Sequence, residues 1–413
     1  MKIGTAARSG QLAPLILGAR ACLIIFMATS VSVWFEYLLR FSHLVAGIAW
    51  IGSSFYFIWL DSSFETPLIQ RRNVEGELFM VHGGFYYQVE KRKIYPGELP
   101  ANLHWFKWEA TLTWLTGLGL FFYLYYLNNA ALLVSPTAGL AATTTILLSL
   151  AIIIVSWFVY DLIWHPKLKS RAISLVLTLF YFSGLIALNF QYFSSRGAFI
   201  QTGAVLGSLM LLNVWVRILP GQRRMVQSAE RGETPDYTES AKSKIRSVHN
   251  TYFTFPVLFI MLSNHYPNIY SHKHNVALLV ILSLSAALLR HAMVTKKKIE
   301  RFTLLPSALG LLALVFLTVA PPTSSNSALG PVSFETVHAI FVERCQTCHS
   351  SKPTDDIFTV APKGVIFETE EQIRALSEKI YMHVVTAQSM PLGNKTQMTE
   401  TERAKIAAWL KPN

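Results

Sequence analysis

Long apolar runs separated by short polar connections set the pattern of this chain. A helix rises about 1.5 Å per residue, so roughly 17–25 apolar residues cross a hydrocarbon core of about 30 Å. Eight such runs lie near 35–60, 109–127, 141–163, 172–193, 199–219, 250–266, 275–293 and 302–320. A ninth, near 12–33, carries Arg20 and reads either as a further span or as an uncleaved signal-anchor behind Lys2 and Arg8. The connection 61–108 is long and mixes aromatics with charge (Phe85, Tyr86, Tyr87, Trp105, Trp108), which predicts a folded or interfacial element, not a slack loop.

The pattern changes after residue 320. Pro321 to Ser327 has no apolar period and reads as a Pro/Ser linker over 321–332. From 333 to 413 the period is that of short amphipathic helices. One is predicted over 334–345 (Phe334, Val337, Ile340, Phe341) and one near 369–388. The last runs from Thr399 to Leu410, opened by a Thr399/Glu402 capping box and packing Ile406, Trp409 and Leu410 on one face. The predicted organisation is therefore an N-terminal segment 1–33, a membrane domain 34–320, the linker, and a small soluble domain 333–413. The predicted fold class is all-α, with eight or nine transmembrane spans.

Composition supports the membrane reading, with 52% hydrophobic and only 15% charged residues. The net charge of +12 does not point to nucleic acid, because the basic residues sit between apolar runs and not on one soluble face. Of three cysteines, Cys22 lies in an apolar stretch and the other two share one short motif, so no structural disulfide is expected.

That motif is Cys345-Gln346-Thr347-Cys348-His349, the C-x-x-C-H signature of covalent haem c attachment. Two thiols one helical turn apart add to the haem vinyls, and the adjacent imidazole becomes the proximal iron ligand. With the flanking helices it predicts a class I-type cytochrome c domain holding one haem c. A thioether on the far side of the iron raises its potential, and Met382, Met390 and Met398 are the candidates. Met390 is preferred because it sits in the loop Ser389-Met390-Pro391-Leu392-Gly393, whereas Met382 falls within a predicted helix; Met398 is the runner-up. His383 reads as an exposed or core residue.

Haem c is attached outside the cytoplasm, so the last span should end in the periplasm and the other connections follow by alternation. The connections placed inside (61–108, 164–171, 220–249, 294–301) hold nineteen Lys/Arg, including Arg71, Arg223 and Lys296. Those placed outside hold two, Arg196 and Lys273. This agrees with the positive-inside rule, predicts a bacterial inner membrane protein with a periplasmic C-terminal domain, and favours nine spans.

Ionisable groups within spans are costly in lipid and are candidate functional positions. His43 lies well inside a span; His104, His249 and His291 lie towards the cytoplasmic face, as do His82 and His165, while His265, His272 and His274 lie towards the other. Two sets of histidines at two depths leave room for a metal or a haem b in the membrane domain. Glu36, Arg40, Glu109, Asp161 and Arg217 lie near span ends, where snorkelling or ion pairing is the preferred account of each over function. His43, His104, His249, His291 and Arg217 are the candidate catalytic residues.

The segments His43 to Asp61 (HLVAGIAWIGSSFYFIWLD), His82-Gly83-Gly84-Phe85-Tyr86 and Leu103 to Glu109 (LHWFKWE) resemble the bacterial integral-membrane urate oxidase family, the cytochrome-c-linked urate hydroxylases. Pro353 to Asp356 and Met390 to Thr396 are similar to that family's cytochrome domain. The resemblance covers the chain from about residue 34. It implies hydroxylation of urate to 5-hydroxyisourate in purine catabolism, with oxygen from water, and electrons leaving through the haem to a cytochrome c or terminal oxidase. It carries over Cys345, Cys348, His349 and Met390 and assigns no residue of the membrane domain. The rival readings are a quinol-linked redox subunit of a respiratory complex, and a non-catalytic sensor or anchor.

Overall fold

The computed structural model describes residues 12–319, apart from 96, 136, 169 and 296, and residues 332–410, apart from 357. No turn separates the 12–33 run from the 35–60 run: both belong to one helix, α1 (Leu12–Ser63). The first two predicted spans are thus a single uninterrupted helix. Arg20 lies outside the residues whose side chains are described.

Among the described residues, six helices are long and apolar enough to cross a membrane: Val31–Ser63, Ala142–Ile163, Arg171–Tyr192, Ser195–Glu230, Asn275–Val294 and Lys298–Thr318. The sequence pattern predicts eight or nine. The 109–127 run is split into α2 (Trp108–Phe121), only 14 residues long, and a π-helical turn Phe122–Tyr126. The 250–266 run is the apolar half of α7 (Tyr237–Ser263), whose first half is polar. The chain is membrane-associated on the strength of its apolar helices.

The bundle is built around α5 (Ser195–Leu212), which is buried on nearly every side; Phe199, Val205 and Leu209 are fully enclosed. Around it pack α3 (Ala142–Ile163), α4 (Arg171–Tyr192), α7 and, through α7 and α4, α9 (Asn275–Val294). Continuation into α6 (Leu219–Glu230) passes through a π-helical turn, Asn213–Ile218. By contrast α1 packs chiefly on α2, and α10 (Leu304–Val319) on α9, leaving Trp34, Phe41, Ile48, Leu305 and Phe316 exposed. Apolar faces of this size are unfavourable in water and suit hydrocarbon.

One element corrects the all-α expectation. Residues 74–92 form an antiparallel hairpin, β1 (Val74–His82) and β2 (Phe85–Arg92), with His82 paired to Phe85 and Met80 to Tyr87. The two-residue turn is Gly83-Gly84, at φ +58° and +81°, a conformation that glycine alone adopts without steric cost. That Gly-Gly pair between β-prone residues was the overlooked signal.

Beyond α8 (Pro267–Tyr270) and α10, the C-terminal domain contains α11 (Phe334–Arg344), α12 (Glu370–Ala375), α13 (Ser377–Ile380) and α14 (Glu400–Leu410). α11 and α14 pack together over a core of Val337, Phe341, Ile373, Ile406 and Trp409. The predicted helix at 369–388 is in fact three pieces, α12, α13 and a π-helical segment Tyr381–Thr386, and this last piece lies against α8. The capping box of α14 is present: the Glu402 carboxylate accepts from the Thr399 N–H at 2.6 Å, and the Glu402 N–H donates to Thr399 Oγ1 at 3.2 Å.

Candidate functional site

In the C-terminal domain, α11 ends where the Cys345 N–H donates to Phe341 O at 2.9 Å. The His349 N–H then donates to Cys345 O at 2.8 Å, so Cys345 to His349 forms one further turn carrying both thiols and the imidazole. The Nδ1 of His349 lies 3.0 Å from Val365 O. Held as donor there, the ring leaves Nε2 free as a ligand, the usual orientation of a metal-binding histidine. Cys345 is buried, and burial pushes its thiol up to about 12. Burial, then the charge of Asp355, also raises the half-buried Cys348.

The three methionines separate clearly. Met382 is 41% exposed, Met398 is 3% exposed within the apolar core, and Met390 packs at the edge of that core. The Met390 loop is pinned: its N–H donates to His383 O at 3.0 Å, and its carbonyl accepts from Arg403 Nη1 at 2.8 Å. His383 Nδ1 is engaged with Ser389 Oγ at 2.9 Å. Two thiols one turn apart, an imidazole with Nδ1 tied and a thioether in an anchored loop are a donor set suited to haem c. Among the described residues, no group of three or more His, Cys, Asp or Glu could hold a metal ion.

The membrane domain holds a second polar assembly. Tyr160 Oη meets His249 Nδ1 at 2.6 Å and accepts from Asn213 Nδ2 at 3.0 Å; Asn213 also donates to Asn250 Oδ1 at 2.9 Å. The Trp164 ring packs on His249 at 4.0 Å between centroids. Asp161, at the end of α3, accepts from Arg217 Nε at 2.9 Å and from Arg246 Nη2 at 2.8 Å, while the Arg246 guanidinium lies over the Tyr160 ring at 4.9 Å. Cation, phenol and imidazole are thus contiguous, a grouping able to bind an anion and to hold or move a proton.

Of the five predicted membrane residues, only His249 and Arg217 meet here, linked through Asp161, Arg246 and Tyr160. His43 is elsewhere, with Nδ1 at 3.0 Å from Thr113 O and 3.1 Å from Thr116 Oγ1, and its ring fills the space over Gly117. His104 is exposed and packs on Phe106. His291 pairs through Nδ1 with Tyr252 Oη at 2.6 Å. Sequence reasoning missed Tyr160, Arg246, Asn213, Asn250 and Tyr252. The two asparagines inside apolar stretches were the available signal, and Asn213 opens a π-helical turn, a distortion frequent at functional sites.

No curated protein and no solved structure matches the chain. The profile of the urate oxidase N-terminal family matches residues 29–320, which takes in α1 from residue 29 on, the hairpin and the whole helical bundle and stops short of the C-terminal domain. It bears out the resemblance to urate-oxidase-related proteins on which the oxidoreductase reading rests, and the chain belongs to the urate oxidase N-terminal family.

Proposed function

We propose that this protein is a membrane-bound urate hydroxylase that delivers electrons to a haem c in its own C-terminal domain. The reaction is urate plus water giving 5-hydroxyisourate, two protons and two electrons, with no peroxide formed. What carries the reading is the joining in one chain of a urate oxidase family segment, 29–320, to the Cys345–His349 turn.

The membrane domain supplies two places to lodge protons released from water and substrate, the Tyr160–His249 and Tyr252–His291 pairs, both involving α7. Haem c would be held by Cys345, Cys348, His349 and Met390, and would supply a one-electron acceptor. Met398 and Met382 are set aside as ligands, one enclosed in the core and the other 41% exposed. Coupling a one-electron acceptor to a two-electron oxidation requires a second redox centre or a substrate radical. The downstream partner is a cytochrome c or terminal oxidase. The protein sits in the bacterial inner membrane, with the hairpin end of the bundle in the cytoplasm, where its Lys and Arg concentrate an anionic substrate.

The test is anaerobic addition of urate to purified, oxidised protein in detergent, following the haem alpha band and the urate absorbance together. Reduction of the haem in step with urate loss is expected. An unchanged haem that dithionite still reduces would refute the reading and favour a quinol-linked subunit.

A further inference from the structure

Three arginines of the described chain are buried: Arg246, Arg290 and Arg403. Two have acceptors. Arg246 is paired to Asp161, and Arg403 donates to the carbonyls of Val384 and Met390. Arg290, on the last turns of α9, is 3% exposed, and its Nε and Nη2 are buried without a hydrogen-bond partner. Among the described residues no carboxylate lies within ion-pair distance of it. Its surroundings are aromatic: Cζ stands 3.8 Å from the centroid of Phe55 and 5.7 Å from that of Phe255, and those two rings meet edge-on at 5.8 Å.

A guanidinium does not shed its proton in a protein, so this site keeps its charge. Contact with aromatic faces offsets only part of the cost of removing that charge from water. Nε and Nη2 form one edge of the guanidinium, the edge that presents two parallel N–H groups to two neighbouring acceptors of a planar anion. The adjoining ring faces favour a flat, conjugated ligand over a compact one such as phosphate. Next to Arg290 on α9, His291 is bonded to Tyr252, which stands one helical turn before Phe255 on α7.

We infer that Arg290 is the anion clamp of a binding site for a planar heteroaromatic anion, set among Phe55, Tyr252, Phe255 and His291 where α1, α7 and α9 meet. The inference takes that anion to be urate and so rests on the proposed function. The Tyr252–His291 pair lies beside the clamp as a group able to hold a proton, with Glu300 Oε2 at 3.7 Å from His291 Nε2. The location is the same end of the bundle as the hairpin, at the C-terminal ends of α1 and α9.

The experiment is equilibrium dialysis of labelled urate against the full-length protein and its Arg290→Met and Arg290→Lys variants, with thermal unfolding of each in the absence of urate. Loss of a buried charge-assisted fork should weaken binding by at least about 30-fold in Arg290→Met. Arg290→Lys keeps the charge but loses the fork, and should weaken it by about tenfold. Ligand-free Arg290→Met should unfold no earlier than wild type, because it removes an uncompensated buried charge, whereas a structural arginine would leave a destabilised protein. Should Arg290→Met fail to fold, Arg290→Lys decides. Urate binding by either variant within about threefold of wild type, or no urate binding by the wild type, overturns the inference. Wild-type binding that Arg290→Met abolishes, without haem reduction by urate, upholds the site and refutes the oxidase reading.

Discussion

Asp161 is the carboxylate on which two guanidinium groups converge, so neutralising it measures how much of the polar assembly is structural. In Asp161→Asn the shape is kept and the charge is lost. The pair with Arg217 is 41% exposed on the arginine side and is worth about 0–1 kcal/mol. The pair with Arg246 is different: that side chain is 7% exposed and Asp161 is 17% exposed. Breaking a buried pair while leaving one charge in place costs roughly 3–5 kcal/mol. The remaining contacts, Trp164 O at 3.3 Å and the Tyr160 ring, return about 1–2 kcal/mol, for a net loss of about 1–4 kcal/mol. Thermal unfolding in detergent, followed by tryptophan fluorescence, should show a midpoint lower by on the order of 5 °C. Arg217→Met should lower it by about 1 °C or less, and Asp161→Asn/Arg246→Met should recover most of the loss, since the stranded charge is gone. A single mutant as stable as wild type, or a double mutant worse than the single, would refute the reasoning.

Other expectations are as direct. With the proposed haem c bound, Met390→Leu should lower its potential and abolish a methionine-to-iron charge-transfer band, while Met398→Leu should leave both in place and cost less than about 1.5 kcal/mol of stability. Replacing Gly83 and Gly84 together by valine forces two side chains to positive φ at about 1–2 kcal/mol each, so limited proteolysis should cut within 71–93 sooner than in wild type. For Glu402, burial alone would raise the carboxyl, but hydrogen bonds from Thr399 and the Arg344 guanidinium outweigh it and hold the group below its usual value. Its stabilising effect is therefore present above about pH 4.5 and is lost as pH falls through the lowered folded value. Pulse proteolysis of the C-terminal domain should show that acid loss in wild type and a flatter profile in Glu402→Gln.

The coarse plan could be read from sequence because lipid imposes it. A segment that must satisfy all its backbone polar groups internally writes its length as an apolar run, and the stretches that became α3, α4, α5 and α9 were recognisable on that ground. Ends and breaks were harder. Nothing in the apolar pattern separates a hairpin of two helices from the single helix α1, because both are apolar throughout. The polar first half of α7 reads as a connection until packing on α5 and α6 shows it continuous with the span. The 74–92 hairpin was legible only through its turn glycines.

Site residues divided according to whether their role is local or assembled. Cys345, Cys348 and His349 lie within one turn, so their spacing together with the flanking amphipathic helices is enough to propose them as a site, and the tie from His349 to Val365 adds an orientation. The membrane residues are joined across 89 positions in the case of Tyr160 and His249, and across 39 in that of Tyr252 and His291. No periodicity encodes such pairs; they exist because α3, α7 and α9 pack side by side. Arg290 shows the limit most sharply. At the end of an apolar span beside Lys297 and Lys298 it reads as one more snorkelling cation marking the inner face. Only the placement of Phe55 from α1 and Phe255 from α7 over its guanidinium turns that topological marker into a charge enclosed without a counterion, and so into the clamp that the binding experiment interrogates.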